Sequence, residues 1–270
     1  MSRQGKTKAV TTVSLRRMKE KGERIVAVTA YDALFARLED QAGADIILVG
    51  DSVGMVYGGR SDTLAVTVEQ MVYHTACARR GTERALLVTD MPFLSVQGEP
   101  AEALKACGRM LAEGGAQAVK VEGCGPVLET IRRIVDTGIP VMGHLGLIPQ
   151  SIHRLGGYGQ RGRSPEEAER LAADARLLEA AGCFSLVLEK MEPGLAAAIT
   201  RELRIPTIGI GSGPDCDGQV LVNMDLLGLY EELQPAYVRR FAELAGEVRR
   251  AVGDYARAVR EGSFPGPGEV

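Results

Sequence analysis

The sequence predicts an α/β fold: a single domain over residues 1–270 in which eight parallel strands, each followed by a helix, close into one barrel. Three observations lead there. Short apolar runs alternate with helical patterns along the whole chain. Several helical patterns stop at a glycine directly before the next apolar run. No linker rich in proline, serine or charge divides the middle, which favours a closed barrel over a doubly wound open sheet. The 270 residues also suit a barrel, which takes about 250.

The candidate strands are 25–29, 45–50, 85–89, 117–121, 139–143, 184–188, 206–210 and 219–223. Runs rich in Val, Ile and Leu, flanked by glycine and helical segments, are the pattern of strands buried on both faces. Among the helices between them, Ser164-Pro165-Glu166-Glu167 reads as a start, with Ser164 as N-cap, proline at N1 and Glu167 closing a capping box. Thr67-Val68-Glu69-Gln70 repeats the device with glutamine. Helices end at Gly43, Gly115, Gly138 and Gly182, each supplying the left-handed residue that turns the chain back into a strand. The fold expected is thus a TIM barrel with an N-terminal helical segment, marked by Leu15 and Met18 at helical spacing, and a C-terminal helix. That last helix is expected across 230–261, capping the barrel or packing between subunits, and about 1–10 and 263–270 read as frayed tails.

Composition narrows the function. The net charge of −3 gives no basic field for nucleic acid. No apolar stretch is long enough to cross a membrane, and the basic N-terminus lacks the apolar core of a secretory signal. The five cysteines are scattered without a C-x-x-C pair, so reduced thiols in a cytoplasmic protein are expected rather than zinc ligands.

The chemistry gathers at strand ends. ADIILVGDS ends at Asp51, ALLVTDMPF carries Asp90, AVKVEG carries Lys120 and Glu122, and FSLVLEK carries Glu189. In a parallel barrel all these ends share one mouth, and a charge is tolerated there rather than in the buried part of a strand. Lys120 and Glu122, two apart, point to the same side, leaving Val119 and Val121 for the outer helices. A salt bridge plugging the barrel would use the same pair. Asp51 and Asp90 add excess negative charge, which a divalent cation would neutralise, and oxygen donors favour Mg²⁺ or Mn²⁺ over zinc.

Glu189 suits a general base facing a substrate, with Glu192 as a weaker rival; a helix cap is the plainer role for such a residue. Ser52 has the groups to hold a substrate carboxylate, or to make a simple turn. The glycines of IGIGSG at 208–213 suit an anion loop or close backbone packing. A long loop after the fifth strand, carrying His144, is expected to cover the mouth, with His144 either a pocket donor or a structural histidine.

Taken in order, VTAYD at 28–32, VGDSVGMVYGG at 49–59, TLAVTVEQM at 63–71, VTDMPF at 88–93, VKVEG at 119–123, GHLGLIPQS at 143–151, GGYGQRGR at 156–163, LVLE at 186–189, IGIGSG at 208–213 and DGQVLV at 217–222 closely resemble the ketopantoate hydroxymethyltransferase family over nearly the whole chain. The resemblance implies a magnesium-dependent enzyme that transfers a hydroxymethyl group from 5,10-methylenetetrahydrofolate to 3-methyl-2-oxobutanoate, giving 2-dehydropantoate for pantothenate and coenzyme A synthesis. Carried over by motif, Asp51, Asp90 and Glu122 match the metal-associated acids. Asp51, Ser52, Asp90 and Lys120 match the positions that contact the oxo acid, and Glu189 matches the proton acceptor. The family assembles as homo-oligomers, commonly decamers. The chain departs from the family pattern at Met224, where many relatives have histidine, at Gly159, where a lysine is lost, and at Ser212. Two other readings use the same residues: a metal-dependent C–C lyase of the isocitrate lyase and phosphoenolpyruvate mutase type, and a non-catalytic barrel that binds an oxo acid.

Overall fold

The structure is a computed structural model describing residues 8–232 and 235–269. These form two compact units, one running to Leu221 and one beginning at Val222. Parts of both expected tails, residues 1–7 and 270, lie outside the described residues.

The first unit is a closed barrel of eight parallel strands in sequence order. They are β1 (Ile25–Thr29), β2 (Ile46–Val49), β3 (Leu86–Asp90), β4 (Ala118–Glu122), β5 (Val141–Gly146), β6 (Ser185–Glu189), β7 (Thr207–Ile210) and β8 (Gly218–Leu221). Each expected strand is present, β1 at its expected bounds and the others with ends shifted by a residue or two, while β5 runs three residues further than its apolar core suggested.

Alternation along the strands sorts two cores. Ile25, Ile46, Leu48, Leu86, Val88, Ala118, Met142, Val187, Ile208 and Val220 fill the barrel interior. Val28, Ile47, Leu87, Val119, Val121, Leu186 and Leu188 face the surrounding helices, as the period of two requires. The N-terminal helix Thr12–Lys21 presses Leu15, fully buried, onto the interior cluster. Val10 N–H donates to Arg84 O at 2.8 Å and Lys19 Nζ reaches Asp217 at 2.7 Å, both just ahead of strands, so this segment closes the amino-terminal end. The carboxyl-terminal end is left for the site.

Local signals act largely as read. The helix Val68–Gly81 starts with a complete capping box, Thr67 Oγ1 accepting from Gln70 N and Gln70 Oε1 accepting from Thr67 N. Gly43, Gly115, Gly138 and Gly182 all take positive φ. The helix Pro165–Ala180 keeps its Ser164 cap, but its box is open. The Glu167 carboxylate turns away to accept from Gly162 N at 2.8 Å and to pair with Arg161, tertiary partners that outcompete the local one.

In the second unit, the expected helix over 230–261 is shorter. It spans Leu244–Arg260, preceded by a non-helical segment containing Pro235, which has no N–H to donate to a helix. Residues 233 and 234 of that span lie outside the described residues.

Candidate active site

Strand register brings the charged strand ends together. Asp90 on β3 pairs with Lys120 on β4, Glu122 with His144 on β5, and Gly146 with Glu189 on β6. Asp90, Lys120, Glu122 and His144 are each at most 5% exposed. Lys120 Nζ stands 3.0 Å from Asp90 Oδ1 and 3.8 Å from Glu122 Oε1. Asp51, one residue into the turn beyond Gly50, joins them, its backbone N–H donating to Asp90 Oδ2 at 3.1 Å. The five strand-end residues thus meet at the carboxyl-terminal mouth.

His144 is a strand residue, not part of the loop expected after β5. Its Nδ1 lies 3.1 Å from Lys120 Nζ and 3.4 Å from Glu122 Oε1, and its Nε2 lies 3.2 Å from Glu189 Oε2. It therefore connects the acid and lysine cluster to the carboxylate across the mouth. Gln150, in the segment after β5, falls within GHLGLIPQS, but no local pattern gives its side chain a role. Its side-chain amide donates to Asp51 Oδ2 and to Met91 O, both at 2.9 Å, and its backbone N–H donates to Glu122 Oε2 at 3.0 Å. One buried residue thus ties the covering loop to two of the acids.

The remaining candidates separate. Ser52 Oγ lies 2.8 Å from the Tyr31 hydroxyl, and its side chain makes no helix cap. Glu192 caps the helix Pro193–Glu202, accepting from Leu195 N at 2.8 Å, so the capping role falls to it and not to Glu189. In the IGIGSG segment, Ser212 Oγ donates to Leu188 O at 2.7 Å and accepts from Met191 N at 2.9 Å, tying the ends of β6 and β7 together. Gly213 packs against Pro193, so close approach accounts for that glycine.

The electrostatics show negative charge in excess. Burial, then repulsion from Asp90 and Glu122, pushes the Asp51 carboxyl up to about 8. Burial, with Glu122 adding to it, also raises Asp90, against the pull of Lys120. For Glu122 burial acts upward, but His144, Lys120 and the Gln150 N–H outweigh it and hold its carboxyl below the usual range. Burial disfavours the Lys120 charge, yet Asp90, Glu122 and Asp51 together raise its pKa above the ordinary lysine value. Burial and Lys120 oppose a charge on His144, and its contacts with Glu122 and Glu189 overcome them, raising it to about 9.

This donor set fits a hard divalent cation. All the candidate ligands are carboxylate oxygens, and Asp51 is pushed towards its neutral form, by burial first and then by repulsion from Asp90 and Glu122. Among the described residues no three His, Cys, Asp or Glu side chains stand in a metal-holding arrangement. Chemically, the mouth offers a cation pocket, a buried ammonium and a carboxylate on the opposite wall, the parts needed to bind an oxo acid and move a proton beside its carbonyl.

Comparison with known proteins gives the chain's family. The family model for ketopantoate hydroxymethyltransferase matches residues 9–267. A 3-methyl-2-oxobutanoate hydroxymethyltransferase of Pelobacter propionicus is 55% identical over 258 residues, covering 96% of each chain. Another, of Anaeromyxobacter dehalogenans, is 56% identical over 262 residues, covering 96% of this chain and 86% of its own. Among solved structures, 2,3-dimethylmalate lyase, a member of the phosphoenolpyruvate mutase and isocitrate lyase superfamily, shares the fold with a TM-score of 0.61 at 16% identity, over 96% of this chain and 88% of that one. A phosphonopyruvate hydrolase solved with oxalate and magnesium gives 0.61 at 14% identity, over 96% and 93%. The chain belongs to the ketopantoate hydroxymethyltransferase family and is an enzyme of that transferase class.

Proposed function

We propose that the protein transfers a hydroxymethyl group from 5,10-methylenetetrahydrofolate to 3-methyl-2-oxobutanoate, giving 2-dehydropantoate, in a Mg²⁺-dependent reaction that proceeds through an enolate. The observation that carries this reading is the placing of Glu189 opposite the Asp51, Asp90, Lys120 and Glu122 cluster, with His144 between them.

In this reading Asp51, Asp90 and Glu122 hold the metal, and Asp51, Ser52, Asp90 and Lys120 hold the oxo acid. When bound, the metal supplies a Lewis acid that withdraws electron density from the oxo acid. The Lys120 ammonium, buried and flanked by Asp90, faces the oxygen on which charge develops, where low dielectric makes its field strong. Glu189 takes the C3 proton, and the electrons of that C–H bond pass into the C2–C3 bond of the enolate. His144, 3.2 Å from Glu189 Oε2, restrains the carboxylate that does so. Gln150 fixes the loop over Asp51 and Glu122 and keeps bulk water from the reacting carbon. C3 then bonds to the donor's methylene carbon as one of that carbon's two bonds to nitrogen breaks, and water adds its oxygen to the same carbon as the second breaks; one freed nitrogen takes the proton lifted from C3 and the other a proton from the water.

Burial of Asp51, Asp90, Lys120 and Glu122 supports binding of small molecules rather than a macromolecule. No described helix is long and apolar enough to cross a membrane, and the reading places the enzyme in the cytoplasm as a homo-oligomer, a decamer by family likeness. The test is turnover of 3-methyl-2-oxobutanoate with and without methylenetetrahydrofolate and Mg²⁺. Product formation that needs both is expected. Cleavage of an oxo or hydroxy acid without folate would favour a lyase, and absence of any turnover a binding barrel.

A further inference from the structure

The oxo acid contact assigned to Ser52 needs a hydroxyl whose hydrogen points into the mouth. Ser52 follows Asp51 in the turn beyond β2, and its side chain caps no helix. Its Oγ lies tight over Gly50, where a Cβ would stand 2.7 Å from it and 3.6 Å from Asp90 Oδ2. The hydroxyl is therefore folded back near the Asp90 carboxylate. Its neighbour is the Tyr31 hydroxyl, at 2.8 Å. Tyr31 lies two residues past the end of β1 and is 1% exposed, whereas Ser52 is half-buried.

Tyr31 is fixed at both its backbone and its ring. Its carbonyl oxygen accepts from His74 Nδ1 at 2.8 Å. The Tyr57 ring meets its ring edge to face, with centroids 5.3 Å apart. Tyr57 in turn donates to Asp32 Oδ2 at 2.8 Å, and Asp32 Oδ1 caps the helix Ala33–Gln41 by accepting from Leu34 N and Phe35 N. A buried ring held in this way keeps its hydroxyl in one place. Of the two hydroxyls the phenol is the better donor, and Ser52 is the one open to the mouth. With Tyr31 donating, the Ser52 hydrogen is left for an acceptor in the mouth, and a hydroxyl that accepts one bond donates the next more strongly. We propose that Tyr31 is a positioning residue for the oxo acid: its hydroxyl donates to Ser52 Oγ and so turns the Ser52 hydrogen towards the substrate carboxylate. The inference rests on the reading of Ser52 above and goes beyond it by naming the group that orients that side chain.

The test uses Tyr31→Phe, which keeps the ring and its packing on Tyr57, together with Ser52→Ala and the double variant. Binding of 3-methyl-2-oxobutanoate is measured by calorimetry with Mg²⁺. Exchange of its C3 hydrogen with solvent deuterium is followed without folate over a range of oxo acid concentrations. Tyr31→Phe is expected to weaken binding about tenfold, the worth of one hydrogen bond to a charged group. The half-saturating concentration for exchange should rise with it, while the rate at saturation stays near wild type. In the Ser52→Ala background, Tyr31→Phe is expected to cost no further affinity, because Tyr31 acts through Ser52 alone. Wild-type affinity in Tyr31→Phe overturns the inference. So does an equal loss with and without the Ser52 hydroxyl, which would make Tyr31 a general support of the mouth. A lower rate at saturation with affinity intact overturns it as well. Failure of the Ser52 reading shows differently, as Ser52→Ala that binds the oxo acid like wild type, and it takes this inference with it.

Discussion

Replacing Gly146 with alanine tests how the barrel backbone aims Glu189. Gly146 ends β5 with φ of 96°, beside Glu189 in register on β6. A Cβ there would overlap the Glu189 carbonyl oxygen and stand 3.2 Å from its carbonyl carbon. That oxygen already accepts from Leu147 N–H at 2.8 Å, so it is held on the side from which the methyl group would arrive. Two costs follow. An L-residue at this φ is strained by about 1–2 kcal/mol, which in a domain of this size lowers Tm by roughly 2–8 °C. The steric conflict is with backbone, so the strand end has to shift on the order of 1 Å, and misplacement of that size at a reacting centre costs about 10²-fold in rate. Thermal unfolding and C3 deuterium exchange on the same preparation read both terms. Melting lowered by roughly 2–8 °C, with exchange down by about two orders of magnitude, is expected. A variant with both wild-type Tm and wild-type exchange would refute the claim that this backbone contact positions Glu189.

The remaining predictions concern the acid cluster. Gln150→Ala removes the amide that donates to Asp51 Oδ2 and Met91 O; a loss of about 2 kcal/mol of unfolding free energy is expected, read as a lower urea midpoint, and an unchanged midpoint would mean that the loop is anchored elsewhere. Asp51 carries a folded pKa of about 8 against an ordinary 3.8, so without metal the folded state keeps a proton that the unfolded chain releases. The stability this contributes is complete below the ordinary value and is lost as pH rises towards 8, and Asp51→Asn should flatten that part of the stability profile. An identical pH slope in the variant would rule out Asp51 as its source. Asp90→Ala is expected to abolish Mg²⁺-dependent turnover while the barrel still folds, since removing one acid from a crowded set relieves repulsion; full turnover in chelator would remove the metal from the account.

Much of this site was legible because charges at the ends of apolar runs are costly anywhere but a barrel mouth. Asp51, Asp90, Lys120, Glu122 and Glu189 showed themselves in that way, and the period of two placed Lys120 and Glu122 together with Val119 and Val121 behind them. His144 was misplaced because Gly143 and Gly146 flank it and glycine ordinarily marks a turn. The signal was present in the continued alternation of Met142 and His144 inward with Val141 and Leu145 outward. Gln150 could not be found from the sequence: its contacts reach 99 residues back to Asp51 and 59 back to Met91, and no local pattern encodes them. The open capping box at Ser164 has a nearer cause, because the Glu167 carboxylate turns back to Arg161 and Gly162, just ahead of the helix. Helical periodicity extends the C-terminal helix too far, because Pro235 lies within the periodic span and cannot donate to a helix.

The central claim is that Glu189 takes the C3 proton of the oxo acid, and Glu189→Gln addresses it most directly. Glutamine keeps the size and can still accept from His144, but it cannot hold the proton. Exchange of the C3 hydrogen of 3-methyl-2-oxobutanoate with solvent deuterium, followed with Mg²⁺ and without folate, isolates that step from donor binding. The account predicts near-normal binding of the oxo acid and exchange slowed by about 10²–10⁴-fold, the usual contribution of a general base. Exchange at the wild-type rate would contradict it and pass the role to another group.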